Sequence, residues 1–184
     1  MAENSPKTEV AILAGGCFWC LEAVYLGADG VLGVTSGYIG GHVYAPTYER
    51  ICDGDTGHAE AVRIEFDPAR IGFVDLLDIF FAIHDPTTPN RQGNDVGTQY
   101  RSAIFTTTPE QEALARQKVA ELNEEAHFGA PIVTEIVAAP RFWPAEPYHH
   151  DYFSRNAHQP YCQYVVAPKV AKFRSKFAKR VKAT

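Results

Sequence analysis

The order of its secondary-structure signals constrains the fold of this chain most strongly. Six segments with strand-like or helix-like spacing of apolar residues follow one another as strand, helix, strand, strand, helix and strand. They cover residues 9–14, 17–26, 31–38, 58–66, 73–80 and 100–106. This order is that of the ferredoxin-like split βαβ plait. We therefore expect an α+β fold in which helices cover a mixed sheet, with long loops and a C-terminal helix.

The segments that follow this core pattern are less regular. Residues 85–97 are rich in proline and glycine and predict a long loop. Thr107 and Glu110 have the spacing of a capping box, which predicts a helix that ends near His127. Three further segments complete the prediction: a strand over 132–138, a polar and aromatic segment over 145–153, and an amphipathic closing helix over 170–181.

Composition narrows the class of protein. A chain of 184 residues, 46% of them hydrophobic, can build one substantial core, so we expect a single domain over 1–184, and a monomer. A net charge of −5 without a run of like charges argues against a nucleic-acid-binding surface, and the one basic stretch, 169–182, has the spacing of an amphipathic helix. There is no apolar run of about 18 residues and no secretory signal, so we expect no membrane segment and a cytoplasmic location. Thiols stay reduced there, and the four cysteines should be reactive or simply buried.

A cysteine follows two glycines where the first predicted strand meets the first predicted helix. The motif reads Gly15-Gly16-Cys17-Phe18-Trp19-Cys20. The unpaired N–H groups and partial positive charge of a helix N-terminus favour a thiolate, so we expect a lowered pKa for Cys17. Phe18 and Trp19 would supply an apolar surface beside it. We interpret the motif as a nucleophilic cysteine next to a pocket for a small apolar group.

Four other side chains could take part in chemistry. Glu60 lies at the start of an apolar strand, where partial burial would raise its pKa and keep a proton available near neutral pH. An exposed carboxylate at a strand end is the simple alternative. Tyr48 and Tyr100 could donate hydrogen bonds to a polar oxygen, although tyrosines more often only pack in half-buried positions. Asp95 in the long loop could orient a water or an amide.

The remaining cysteines allow two interpretations. Cys162 lies outside the predicted regular elements, where a mobile thiol could reach Cys17 and form a transient disulfide. A buried and inert cysteine is an equally simple interpretation of Cys162. We interpret Cys20 and Cys52 as structural, because Cys20 lies further from the helix N-terminus and Cys52 has no neighbouring activator.

Three short patterns point to other kinds of site. Cys17-Phe18-Trp19-Cys20 is formally the C-x-x-C of a thioredoxin-like dithiol, but two bulky aromatics inside the pair fit that poorly. A structural zinc site would need two more ligands at matching spacing. His58-Ala59-Glu60 matches the H-x-E of zinc deaminases, but no P-C-x-x-C follows it. We therefore expect no metal.

Together these motifs resemble the methionine sulfoxide reductase A family, the peptide-methionine (S)-S-oxide reductases. The resemblance covers nearly the whole chain and rests on segments 15–20, 46–49, 56–60, 80–87, 94–102 and 144–149. It implies thiol-dependent reduction of methionine S-sulfoxide to methionine, with free methionine sulfoxide and oxidised proteins or peptides as substrates. Repair of oxidised proteins would be the biological role.

The resemblance also implies roles for individual residues. Cys17 matches the nucleophile that attacks the sulfoxide sulfur, and Glu60 matches the acid that protonates the sulfoxide oxygen. Tyr48 and Tyr100 match the hydroxyl groups that hold this oxygen.

The remaining matches concern the pocket and the recycling of the enzyme. Phe18 and Trp19 match the pocket for the S-methyl group, and Asp95 matches the carboxylate that positions the substrate or a water. Cys162 matches the cysteine that resolves a Cys17 sulfenic acid to a disulfide. Thioredoxin or dithiothreitol would then reduce the disulfide, without metal or organic cofactor. Because no cysteine follows Cys162, a single recycling cysteine is expected.

Two other functions stay open at this point. A module that binds oxidised or methionine-containing peptides would use Phe18 and Trp19 without any chemistry. A general thiol oxidoreductase would form a Cys17–Cys20 disulfide instead of a Cys17–Cys162 disulfide.

Overall fold

The computed structural model describes residues 7–183. The strands are β1 (Glu9–Gly15), β2 (Val31–Ile39), β3 (Ala59–Phe66), β4 (Arg91–Gln92), β5 (Asp95–Val96), β6 (Ser102–Thr106), β7 (Glu135–Ala138) and β8 (Trp143–Pro144). The α-helices are α1 (Phe18–Leu26), α2 (Tyr48–Cys52), α3 (Phe73–Ile83), α4 (Pro109–Glu124), α5 (Tyr152–Arg155) and α6 (Ala167–Lys176). A π-helical turn, Cys162–Val166, directly precedes α6. Within residues 7–183, every helix is too short or too polar to cross a membrane.

Six strands form one mixed sheet in the order β7-β6-β1-β3-β2-β8. Neighbouring strands are antiparallel except β6 and β7, which are parallel. The short strands β4 and β5 form a separate hairpin. The predicted α+β class with a mixed sheet and packed helices is confirmed.

The helices α1 and α3 pack on one face of the sheet. Successive residues of a strand face opposite sides, so Leu13 of β1 contributes to this main core while Ile12 and Ala14 contribute to a smaller cluster on the other face. Leu21 of α1 and Phe80 of α3 lie in the main core. Because β1 is buried on both faces, the turn that leads from it into α1 is held firmly in place.

The region predicted as one long loop, 85–97, contains the β4–β5 hairpin. The Gln92 side chain folds back on the start of the region, where its Oε1 accepts a hydrogen bond from the Asp85 N–H at 2.9 Å. Strands of two residues are too short for an alternating pattern, which is why the sequence does not reveal them. Tyr100, predicted to begin a strand, instead ends a short 3₁₀ turn, and β6 begins at Ser102.

The N-cap of α4 is Thr108, not the predicted Thr107. Thr108 has an extended backbone, and its side chain accepts a hydrogen bond from the Gln111 N–H at 3.2 Å. The shift by one residue follows from Pro109, because a proline drives the residue before it out of helical conformation. The helix ends at Glu124, three residues before the predicted end.

The C-terminal helical segment begins much earlier than predicted. Helical conformation covers 160–176, whereas the apolar spacing predicted a helix over 170–181. The prediction that Cys162 lies outside the regular elements is therefore wrong, since Cys162 begins the π-helical turn. The wider π-helical turn disturbs the 3.6-residue spacing on which the prediction depended.

Candidate active site

The junction between β1 and α1 positions the candidate nucleophile. Gly16 has a φ of +94°, which glycine adopts most readily, and a Cβ at this position would collide with the Gln92 side chain. A Cβ on Gly15 would lie 3.1 Å from the His84 ring. Cys17 was predicted to begin helix α1. In the structure it is the N-cap residue, and the helix begins one residue later, at Phe18.

Glu60 lies on β3, paired with Tyr38 of β2, and is 1% exposed. Its Oε1 accepts a hydrogen bond from the Phe18 backbone N–H at 3.2 Å. Burial raises the pKa of Glu60 to about 8; the Phe18 N–H lowers it and the Asp95 charge raises it. The prediction of a buried carboxyl with a raised pKa is confirmed, and the alternative of an exposed carboxylate is wrong. At neutral pH a protonated Glu60 therefore lies at the first turn of α1.

The environment of Cys17 does not lower its pKa as predicted. Burial raises the pKa of this thiol well above its usual value, and Glu60 and Cys20 raise it further. The Trp19 backbone N–H and the Tyr161 hydroxyl lower the Cys17 pKa. The helix N-terminus thus acts in the predicted direction, but desolvation of a thiol that is only 8% exposed outweighs it. The resting protein holds Cys17 as a neutral thiol.

Aromatic rings form a wall beside Cys17. Phe18 is buried, and its ring centroid lies 6.5 Å from that of Tyr48. The half-buried Trp19 stacks on Tyr152, with ring centroids 3.7 Å apart and planes within 4°. The Trp19 indole N–H donates a hydrogen bond to His149 Nδ1 at 3.0 Å. The indole is therefore held by Tyr152 on one face and by His149 at its edge.

The two candidate phenols lie around Glu60. Tyr48 is the first residue of α2, which Thr47 caps, and Tyr100 ends the 3₁₀ turn before β6. Burial raises the pKa of both phenols, and the charge of Glu60 raises it further in each. Both hydroxyl groups are thus protonated and able to donate hydrogen bonds near this carboxyl.

Asp95 is linked to the C-terminal segment. The Tyr161 hydroxyl donates a hydrogen bond to Asp95 Oδ2 at 2.7 Å. The same hydroxyl lowers the pKa of both Cys17 and Cys20. Tyr161 therefore connects the β4–β5 hairpin to the residues that carry the thiols.

Three of the four cysteines form one buried cluster with Val166: Cys17, Cys20 and Cys162. Burial raises the pKa of Cys20 to about 11, although the charge of Lys169 lowers it. Cys52 ends α2 and is exposed; partial burial raises its pKa, although the Tyr48 hydroxyl lowers it. Within residues 7–183, no three His, Cys, Asp or Glu side chains are arranged to hold a metal ion.

Comparison with known proteins identifies the family. Residues 9–181 match the family model described as Peptide methionine sulfoxide reductase. The chain belongs to this family. A relative from Polynucleobacter asymbioticus, Peptide methionine sulfoxide reductase MsrA, is 57% identical over 175 residues, which cover 95% of this chain and 92% of the relative. As a member of the peptide methionine sulfoxide reductase family, the chain is an oxidoreductase that reduces methionine sulfoxide.

Solved structures from the same family resemble the fold. Reduced Mxr1 from Saccharomyces cerevisiae aligns with a TM-score of 0.78 and 36% identity, over 85% of this chain and 90% of Mxr1. Mxr1 in complex with Trx2 aligns with a TM-score of 0.55 and 25% identity, over 83% of this chain and 89% of that chain.

Sequence reasoning misses two residues that the fold of this family member brings to the site. His149 contacts Phe18 and Trp19, and Tyr161 contacts Asp95. His149 ends the matching segment 144–149, and Tyr161 directly precedes Cys162, so proximity to these motifs was the available signal. Neither residue has a spacing that marks it as part of a site.

Proposed function

We propose that the chain reduces the S epimer of methionine sulfoxide, free or in peptides, by thiol chemistry without a metal or an organic cofactor. The observation that carries the proposal is the buried, protonated carboxyl of Glu60 at the N-terminus of α1, where Cys17 is the N-cap. An acid and a soft nucleophile at one place are what a sulfoxide requires, because its oxygen departs only when protonated.

In the proposed first step, Cys17 Sγ attacks the sulfoxide sulfur while Glu60 donates its proton to the sulfoxide oxygen. The Tyr48 and Tyr100 hydroxyl groups donate hydrogen bonds to this oxygen, and Phe18 and Trp19 enclose the S-methyl group. The sulfur–sulfur bond formed by this attack breaks together with the sulfur–oxygen bond of the substrate as the protonated oxygen moves to Cys17, and the thiol proton of Cys17 replaces the proton that Glu60 gave. Methionine is released, reduced by two electrons, and Cys17 becomes a sulfenic acid.

The raised pKa values of the acid and the nucleophile are compatible with this step. Ionised Glu60 opposes ionisation of Cys17, so a protonated Glu60 removes one of the charges that keep the thiol neutral. Asp95 accepts the hydrogen bond that the Tyr161 hydroxyl donates, which links the β4–β5 hairpin to the residue before Cys162. We propose that Asp95 positions the substrate or its water through this connection.

In the proposed second step, the Cys162 thiol condenses with the Cys17 sulfenic acid, which forms a disulfide and releases water. The buried cluster of Cys17, Cys20 and Cys162 supports this pairing. A thioredoxin-type dithiol then reduces the disulfide by thiol exchange and is itself oxidised, for which the complex of the related Mxr1 with Trx2 is support. In vitro, dithiothreitol would replace the thioredoxin-type dithiol. A Cys17–Cys20 disulfide is the alternative, since Cys20 lies in the same cluster.

Turnover of the two resolved epimers of methionine sulfoxide with dithiothreitol tests the proposal. We expect reduction of the S epimer only, and none by Cys17→Ser. Turnover of both epimers, or turnover by Cys17→Ser, would contradict it. Peptide mapping after one equivalent of substrate distinguishes a Cys17–Cys162 disulfide from a Cys17–Cys20 disulfide, and a module that only binds peptides would form neither.

We further propose one catalytic domain that works as a monomer in the cytoplasm. The central strand order β6-β1-β3-β2, antiparallel throughout, supports a description of the core as a split βαβ plait. Size-exclusion chromatography with light scattering tests the monomer, and a mass near twice 20.3 kDa would contradict it.

A further inference from the structure

Glu22 is a buried carboxyl that has no part in the proposed reaction. It lies on α1 three residues after Trp19, a spacing that brings both side chains to the same side of the helix. Glu22 is 1% exposed, and burial raises its pKa. Because a buried carboxyl destabilises a protein unless other groups compensate, its partners indicate what it does.

These partners come from the segment that holds Trp19. The backbone N–H groups of Asp151 and Tyr152 favour the charged form of the Glu22 carboxyl. His150 favours the charged form as well, with Nδ1 3.8 Å from Glu22 Oε2. The Ser36 hydroxyl of β2 donates a hydrogen bond to the same oxygen at 3.3 Å. One carboxyl thus links α1 to β2 and to the start of α5.

The start of α5 has an unusual backbone conformation, and Arg155 also holds it by donating a hydrogen bond to the His150 carbonyl at 2.6 Å. Asp151 is the N-cap of this helix and has a φ of +50°, a left-handed conformation that residues other than glycine rarely adopt. The helix is only four residues long, and its cap side chain makes no capping hydrogen bond. Its first residue is Tyr152, whose ring stacks on Trp19. The position of that ring therefore depends on what holds the Asp151–Tyr152 backbone and on the hydrogen bond that the Tyr152 hydroxyl donates to Gln159 Oε1 at 2.8 Å.

We propose that Glu22 is a positioning residue that fixes the Tyr152 ring against Trp19 and thereby shapes the pocket for the S-methyl group. The inference rests on the proposed role of Trp19 in that pocket. Glu22 touches no reacting atom and acts through the segment from His150 to Tyr152. Its loss should weaken substrate binding and leave the reactivity of Cys17 intact.

Fluorescence of Trp19 reports on the stack directly. The chain has two tryptophans, so Trp143→Phe leaves Trp19 as the only one. In that background, Glu22→Gln should shift the Trp19 emission to longer wavelength and increase its quenching by acrylamide. The matched control is Glu112→Gln, which removes an exposed carboxylate that pairs with Arg116 on α4 and should change neither property.

Kinetics test the consequence for the pocket. Glu22→Gln should raise KM for methionine sulfoxide about tenfold, the factor that corresponds to about 1.4 kcal/mol. We expect kcat and the rate of Cys17 alkylation to stay near wild type. If Glu22 acts through Tyr152, the double variant with Tyr152→Leu should have the KM of Tyr152→Leu alone.

Three results would overturn the inference: an unchanged Trp19 emission in Glu22→Gln, an unchanged KM, or a KM in the double variant that multiplies the two single effects. If Glu22→Gln does not fold, the Tyr152→Leu variant tests the inference instead. An unchanged KM and an unchanged Trp19 emission in that variant would show that the Trp19–Tyr152 stack has no role in substrate binding. A wild-type protein without turnover would refute the proposed function, while the emission shift would still establish the connection from Glu22 to Trp19.

Discussion

The two halves of the candidate site are built differently. Cys17 and Glu60 lie where β1 and β3 meet the start of α1, and the sheet fixes both residues through its register and a buried hydrogen bond. The other half, residues 147–166, consists of two short helical turns and the beginning of the helical segment 160–176, and it contributes His149, Tyr161 and Cys162. These residues are held by individual side-chain contacts. We infer from this difference that the sheet supports the reacting groups, whereas the C-terminal segment supports substrate positioning and recycling.

Glu60→Gln should have the largest effect, because it removes the proton donor from the half that the sheet supports. We expect kcat to fall about 10²-fold to 10⁴-fold, the usual range for loss of general acid catalysis. Steady-state kinetics with methionine S-sulfoxide measures the loss. The rate of Cys17 alkylation is the control and should not fall, since the Glu60 charge only raises the pKa of that thiol.

The same variant should not lose stability at neutral pH. A carboxyl with a raised pKa in the folded state destabilises the fold increasingly as pH rises from its unfolded value of about 4.5 towards 8. Glutamine does not ionise, so it lacks this destabilisation, and its side-chain oxygen can still accept a hydrogen bond from the Phe18 N–H. Urea unfolding at pH 7.5 should therefore give a midpoint at or above wild type. A lower midpoint would mean that Glu60 contributes to the fold as well as to catalysis.

The pH dependence of the wild-type rates should show the titration of Glu60. Glu60 must be protonated to act, and its pKa is about 8. Between pH 7 and pH 9, the ratio of kcat/KM to the rate of Cys17 alkylation should therefore fall about tenfold as the protonated fraction of Glu60 decreases. Alkylation of Cys17 should become faster over the same range because its thiolate fraction increases. Parallel changes of both rates would show that one group controls them and would refute the assignment of Glu60.

The same contrast explains what could be predicted from the sequence. The strands and helices around Cys17 and Glu60 have regular apolar spacing, so the α+β fold and the burial of Glu60 follow from pattern. The direction of the Cys17 pKa shift does not follow from pattern, because desolvation depends on atoms that distant segments bring to the thiol. His149 and Tyr161 lie in segments without a regular period, and only tertiary packing assigns them to the site.

Tyr161→Phe should have a smaller effect, since it removes one hydrogen bond from the C-terminal half. Loss of the bond to Asp95 should lower kcat/KM about fivefold, as expected for a single net hydrogen bond. Tyr164→Phe is a matched control because Tyr164 lies in the same helical segment and is 79% exposed. Steady-state kinetics of both variants checks the prediction. Equal losses in the two variants would indicate a general effect on the helical segment rather than on Asp95.

The smallest effect is expected outside both halves, at the cap of α4. Thr108→Ala removes the hydrogen bond to the Gln111 N–H and should lower the free energy of unfolding by about 1 kcal/mol. Since α4 supports neither the Cys17 turn nor residues 147–166, kcat/KM at 25 °C should stay at the wild-type value. Thermal unfolding and kinetics are measured together, with Ser175→Ala on the exposed surface of α6 as the control. A fall in kcat/KM would show that the sheet transmits strain from its edge to Glu60, and the two halves would then be coupled rather than separately supported.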